Sequence, residues 1–225
     1  MTNETVGKIT VLLVDDHAVV REGYRRLLEK RGDIAVIGEA ANATQAHEQF
    51  CALAPQVVVM DIALPGVSGI EAMRRMLARE PATRVLIFSM YEDAIFAHRA
   101  LQAGASGYVT KASAPNVLVE AVHTVARGKK YISADIAQEL ALRNVAADSG
   151  ASETLSAREF EVLRLLVKGH SIRDIAQALG LTPKTVANHQ SAIKQKLGAD
   201  TPVQLLRIAR SLGLDTEKPP RPPEE

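Results

Sequence analysis

Cysteine is almost absent: a single residue, Cys51, stands in a chain of 225. One thiol excludes an intramolecular disulfide and a thiolate metal cluster, and it fits a reducing compartment, with ordinary packing as its expected role. Long apolar runs are missing too, none approaching the ~20 residues of a membrane-spanning helix. Residues 1–8 also lack the basic start and apolar stretch of a secretory leader. No membrane partner is expected, and the cytoplasm is the expected location. Neither charge is in excess: the sum is +1, with 47% hydrophobic and 24% charged residues, the balance of an ordinary globular protein. A chain of this length suits two domains, each able to bury its own core.

The near-zero sum hides an uneven distribution. Residues 155–212 carry nine Lys/Arg against four Asp/Glu, a local excess of +5, whereas the segments before and after it are each −2. Basic charge gathered in one segment points to a polyanionic partner for that segment.

The first half alternates short apolar runs with longer amphipathic ones, the pattern of a parallel sheet covered by helices on both faces. Strands are expected at 9–14, 34–37, 57–60, 85–88 and 108–109, with helices at 18–30, 44–53, 69–79, 93–103 and 115–127. After Arg127 the β signal ends. A further helix is expected at 133–142 with Ser133 as its cap, then a small, polar linker at 144–153. From Leu155 the period is helical. Ser156 and Glu159 have capping-box spacing before a helix closed by Gly169, and a short helix at 172–179 ends at Gly180. Thr182-Pro183 opens a helix at 183–197 that stops at Gly198, and a fourth is expected at 202–212. The Pro-rich 214–225 is expected to be a disordered tail.

In a doubly wound sheet, ligands sit beyond the carboxyl ends of the strands. There the first expected strand is followed by Asp15-Asp16, the third by Asp61, the fourth by Ser89 and the fifth, after Thr110, by Lys111. Three carboxylates brought together raise one another's pKa unless a cation intervenes, and a hard divalent ion with oxygen ligands, Mg²⁺, is the natural one. Clustered acids, Mg²⁺ and a lysine are what phosphoryl transfer to a carboxylate requires. Asp61 is the candidate nucleophile, since it precedes a loop whose Pro65, Gly66 and Gly69 can turn the chain around an exposed carboxylate. An aspartate-phosphorylating phosphatase would need an acid two residues after the nucleophile to protonate the leaving group, and that position is Ala63. The chemistry favours a protein that keeps its phosphoryl group over an enzyme.

These residues carry a resemblance. Asp15-Asp16, Asp61-Ile-Ala-Leu-Pro-Gly-Val-Ser-Gly69, Ser89-Met-Tyr and Gly107-Tyr-Val-Thr-Lys111 are similar to the receiver domain of NarL/FixJ-type two-component response regulators. The resemblance implies a flavodoxin-like α/β receiver with a five-stranded parallel sheet of order 2-1-3-4-5, followed by a small all-α helix-turn-helix domain. It implies that Asp61 accepts phosphate from a sensor histidine kinase. Asp15, Asp16, Asp61 and the backbone carbonyl of Ala63 would hold Mg²⁺, Ser89 and Lys111 would bind phosphoryl oxygens, and Tyr108 would be the aromatic whose rotamer follows Ser89. Residues 114–142 are similar to GacA-like global regulators.

In the basic segment, three helices with a short turn between the second and third suggest a helix-turn-helix. On 183–197, Val186, Ile193 and Leu197 share one face, while Lys184, Ala187, Asn188, Ser191 and Gln195 share the opposite one. Amide and small side chains suit base edges, and lysines suit phosphates. Leu155-Ser-Ala-Arg-Glu159, Gly169, Ile175-Ala176, Leu179, Thr185-Val186, His189, Ile193 and Lys196-Leu-Gly198 resemble the LuxR-type output domain. That likeness implies that Ala187, Asn188 and Ser191 face the bases of double-stranded promoter DNA, and Lys184, Thr185, His189 and Lys194 its backbone. For His189 a buried, hydrogen-bonded role is equally open. The expected organisation is a receiver at 8–128, a helix and linker at 129–154, a DNA-binding domain at 155–213 and the tail. The expected function is a transcription factor switched at Asp61, a homodimer when active, with RNA polymerase a further candidate partner. The rival reading is a phosphorylation-independent DNA-binding or scaffold protein with a vestigial receiver.

Overall fold

The structure is a computed structural model, in which the described residues are 7–92, 94–144, 155–199 and 201–211. They divide into two compact units, one ending near residue 147 and the other beginning beyond it. Of the expected linker only Asn144 is described, and the expected tail lies outside the described residues.

The first unit alternates β1 (Ile9–Val14), α1 (Ala18–Glu29), β2 (Ile34–Ala40), α2 (Ala43–Leu53), β3 (Val57–Met60), α3 (Gly69–Arg79), β4 (Arg84–Ser89), α4 (Ala94–Gln102), β5 (Gly107–Thr110) and α5 (Pro115–Ala126). All strand pairs are parallel. Parallel strands lie under helices on both faces, so they read as unbroken apolar runs. Every residue of β3 is buried, as are Val85 to Phe88 of β4. Val11, Leu13, Val57, Val59, Leu86, Phe88 and Val109 form a core with Leu118, Val122 and Val125 of α5.

The sheet has six strands, in the order β2-β1-β3-β4-β5-β6, so the expected end of β structure at Arg127 is corrected. Strand β6 (Tyr131–Ile132) pairs with Gly107 and Tyr108. Two residues are too few to show an alternating period, and what makes the strand is its partner. A Cβ on Gly107 would crowd the Tyr131 carbonyl, so glycine is what lets the backbones approach. Helix α6 (Ala134–Asn144) follows and packs on α4 and β5. Cys51 also departs from expectation, being exposed on α2 with its Sγ 3.7 Å from His47 Nε2.

The second unit comprises α7 (Ala157–Val167), α8 (Ile172–Ala178), α9 (Pro183–Leu197) and α10 (Pro202–Ser211). Their starts are written locally. Ser156 with Glu159, and Ser171 with Asp174, form complete capping boxes, and the Thr182 hydroxyl accepts from the Thr185 amide ahead of α9. Gly198, at φ 62°, closes α9 in the left-handed conformation that favours glycine. Helix α9 packs on both α7 and α8. Phe160, Leu163, Ile175, Val186, Ile193 and Leu205 are buried between the helices.

Candidate functional site

The parallel sheet brings the ends of β1, β3, β4 and β5 to one edge, and the expected pocket is assembled there. Asp15 and Asp61 are buried, 2% and 3% exposed, and Ser89 is fully buried at the end of β4. The Lys111 ammonium donates to Asp15 Oδ2 at 2.5 Å and to Asp61 Oδ2 at 2.5 Å, so one cation bridges two strands' carboxylates. Burial would lower the Lys111 pKa, but the Asp61 charge and the bonds to both acids outweigh it and hold the ammonium above its ordinary value. The other oxygens are held by backbone: Asp15 Oδ1 accepts from the His17 amide at 2.8 Å, and Asp61 Oδ1 from the Ala63 amide at 3.2 Å.

The loop after Asp61 has its own requirement. Its end is fixed by the Gly69 amide, which donates to the Ile62 carbonyl at 2.9 Å. A Cβ on Gly69 would overlap the Asp61 carbonyl oxygen, so only glycine lets α3 begin this close to the carboxylate.

Asp16, two residues past the end of β1, stands at the exposed rim. His17, which the sequence did not single out, joins it: Nδ1 lies 2.7 Å from Asp16 Oδ1 and 3.5 Å from Asp15 Oδ1. Among the described residues, Asp15, Asp16 and His17 are the group whose ligand atoms lie within 4.8 Å of one another, and Asp61 stands across Lys111 from them. The carboxylate oxygens of Asp15, Asp16 and Asp61 suit a hard divalent cation such as Mg²⁺. Arg21 is a second residue the sequence did not flag. Its Nη1 donates to the Asp15 carbonyl at 2.6 Å while its Nε donates to Glu39 Oε2 at 3.2 Å, which fixes the backbone under the acidic pair.

Tyr108 is fully buried, and its hydroxyl donates to the Tyr91 carbonyl at 2.7 Å. The Tyr91 amide in turn donates to Ser89 Oγ at 3.4 Å, and the Tyr91 ring stacks on Phe96 of α4. Ser89, Tyr91 and Tyr108 are thus one bonded group between the pocket and α4.

In the second unit, Val186 and Ile193 of α9 face inward, and Lys184, Asn188, Ser191 and Gln195 are exposed on the opposite side at helical spacing. Thr185, Ala187 and Lys194 are partly exposed at its margins. Two hydroxyls are already engaged: Ser191 Oγ donates to the Ala187 carbonyl at 3.0 Å, and Thr185 Oγ1 lies 2.8 Å from Thr182 Oγ1. His189 is half-buried, and burial pushes its pKa below the usual value against the pull of Glu159, which favours a neutral ring at pH 7. Arg158 braces the turn before α9, donating to Glu161 Oε2 at 2.6 Å and to the Leu179 carbonyl at 2.7 Å.

Comparison with known proteins fits both halves of this geometry. The family described as response regulator receiver domain matches residues 11–123, and that described as bacterial regulatory proteins, luxR family, matches residues 153–209. Response regulator UvrY of Escherichia coli K12 is 36% identical over 208 residues, spanning 92% of this chain and 95% of that protein. Response regulator GacA of Pseudomonas aeruginosa is 36% identical over 208 residues, spanning 92% and 97%. A solved structure of RcsB from Salmonella enterica serovar Typhimurium, bound to a promoter in the presence of the phosphomimetic BeF3−, is 26% identical with a TM-score of 0.59. It covers 91% of this chain and 99% of that one. Among the described residues no helix is long and apolar enough to cross a membrane.

Proposed function

The chain belongs to the response regulators, with a receiver domain and a LuxR-type DNA-binding domain, and on that footing we propose that it is a transcription factor switched by phosphorylation of Asp61. The observation that carries this reading is the Lys111 bridge between Asp15 and Asp61 at the carboxyl ends of the strands. In the transfer, an Asp61 carboxylate oxygen bonds to phosphorus as the P–N bond of a sensor kinase's phosphohistidine breaks, and the imidazole nitrogen takes the electron pair and a proton. Lys111 balances the charge gained on the phosphoryl oxygens, and the Ser89 hydroxyl turns to one of them. Asp15, Asp16, Asp61 and the Ala63 carbonyl are the proposed Mg²⁺ ligands. When bound, the ion supplies positive charge opposite the transferring group. No acid follows Asp61 by two residues, so the reading is of a regulator and not an enzyme.

The output is promoter DNA read by α9. Asn188, Ala187 and Ser191 are assigned to base edges, and Lys184, Thr185, His189 and Lys194 to the backbone. Exposure of Lys184, Asn188 and Ser191 opposite the buried Val186 and Ile193 supports that assignment. An active homodimer is supported by Val203 and Leu206 of α10, apolar residues 68% and 42% exposed at helical spacing. We further propose the division into a receiver at 8–128, a helix and connecting segment at 129–154, and a DNA-binding domain at 155–213. The test is a promoter titration of the full chain with and without acetyl phosphate and Mg²⁺. Tighter specific binding after phosphorylation is expected. Equal affinity at full phosphoryl occupancy would remove the switch and leave a DNA-binding protein with a vestigial receiver.

A further inference from the structure

Helix α6 holds the switch side of the first unit through two carboxylates of its own. Glu139 Oε2 accepts from the Ala94 amide at 3.0 Å, and Asp135 Oδ2 accepts from Thr110 Oγ1 at 2.9 Å. Both partners are mechanically placed. Ala94 is the first residue of α4, and its amide is one of the donors that a helix start cannot satisfy internally. A carboxylate there also gains from the helix dipole. Thr110 is the residue before Lys111. The chain just ahead of α6 is fastened to the same strand, with the Ser133 amide donating to the Tyr108 carbonyl at 3.0 Å and the Tyr131 amide to the Ser106 carbonyl at 3.2 Å.

These bonds lie at the end of a path from the acidic pocket. Ser89 Oγ receives the Tyr91 amide, the Tyr91 carbonyl receives the Tyr108 hydroxyl, and the Tyr91 ring stacks on Phe96, two residues into α4 from Ala94. If the Ser89 hydroxyl turns to a phosphoryl group, the Tyr91 amide gives up that acceptor, and the start of α4 is released from its position. The Ala94 amide moves with it. A carboxylate hydrogen bond weakens steeply with distance and angle, so a shift of about an ångström is enough to break the bond to Glu139.

We propose that α6 is the receiver's output latch: Glu139 on the α4 start and Asp135 on Thr110 hold it while Asp61 is unmodified, and phosphorylation releases the Glu139 end. The proposal rests on the reading of Asp61 as phosphoacceptor and adds where the signal leaves the receiver. Asp135 is the anchoring end. Burial raises its pKa, but hydrogen bonds from the Thr110 hydroxyl and the first amides of α6 outweigh this and keep the carboxyl below its ordinary value. Helix α6 thereby pivots about its first turn, and the end set free is the one from which the chain continues in sequence to the basic helical unit.

The test is hydrogen exchange of the 134–144 amides in the full-length chain, with phosphoryl occupancy read by intact mass on the same samples. In wild type, acetyl phosphate with Mg²⁺ should speed exchange in α6 by about tenfold, the change expected for one charge-assisted bond. Glu139→Ala should reach that faster exchange without any phosphoryl donor and gain little more with it. Glu139→Gln, which keeps an acceptor oxygen, should fall between, and Gln138→Ala, on the exposed side, should match wild type. Unchanged α6 exchange in a fully phosphorylated wild type, or in Glu139→Ala, overturns the latch. Absence of any mass gain overturns the phosphoacceptor reading instead, and the releasing half of the latch with it.

Discussion

Lys111 and Asp61 meet at 2.5 Å across the ends of β5 and β3, and the same ammonium reaches Asp15 at 2.5 Å. Both acids are buried, so the lysine is the charge that lets two carboxylates share one pocket.

Removing that charge while keeping bulk, by Lys111→Met, leaves two buried acids facing each other. Loss of one partner from a buried ion pair costs about 3–5 kcal/mol, an upper figure for a pocket that opens to water. Thermal unfolding should therefore show a destabilised variant, and Mg²⁺ should restore more stability to it than to wild type. An unchanged melting temperature without metal would show that the bridge carries no such weight.

Arg21 holds the Asp15 carbonyl at 2.6 Å and is itself fixed by Glu39. Groups that orient metal ligands typically govern affinity by 10–100-fold. Arg21→Ala should weaken Mg²⁺ binding by about tenfold in calorimetry, with the helix content of the chain intact. Affinity equal to wild type would mean that Asp15 is positioned by the sheet alone.

Asn188 and the two α9 lysines should separate by salt dependence. Lys184→Ala or Lys194→Ala should weaken binding to every duplex and reduce the salt slope by about one unit for each phosphate no longer neutralised. Asn188→Ala should cost about 1–3 kcal/mol on the preferred site and leave non-specific affinity nearly unchanged. Equal weakening of Asn188→Ala on specific and scrambled duplexes would mean that another face of α9 reads the bases.

Glu159 makes the second unit sensitive to acid. Burial raises its pKa, but the bonds from Lys196 and the Ser156 amide outweigh it and hold the carboxyl below its ordinary 4.5. A group depressed in the fold stabilises it above its unfolded pKa, and that contribution is lost as pH falls through the folded value. Stability of α7 to α10, followed by hydrogen exchange, should therefore drop as pH falls below about 4.5, and Glu159→Gln should flatten part of that drop. An identical pH profile in the variant would assign the drop to other groups.

The pocket was legible because its residues stand at successive strand ends, where parallel topology leaves little choice of neighbours. Asp15, Asp61, Ser89 and Lys111 needed only the strand pattern to be brought together. Arg21 and Glu139 were not legible, since a charged residue on an amphipathic helix looks solvated until its partner across the fold is known. His17 lay beside the acidic pair in sequence, and its nearness to Asp15-Asp16 was the one signal it gave. Strand β6 escaped for a different reason: two residues carry no period, and the approach allowed by Gly107 is a property of the partner strand. Helix α9 was read correctly from its cap, its closing glycine and the spacing of Val186 and Ile193, all of which are local.

The most direct test of the central claim is intact-mass and peptide analysis of the chain after incubation with acetyl phosphate and Mg²⁺. One base-labile phosphoryl group on the peptide containing Asp61 is expected, absent from Asp61→Asn and absent when the divalent metal is chelated. The same mass gain in Asp61→Asn, or a phosphoryl group on another residue of the wild type, would contradict it.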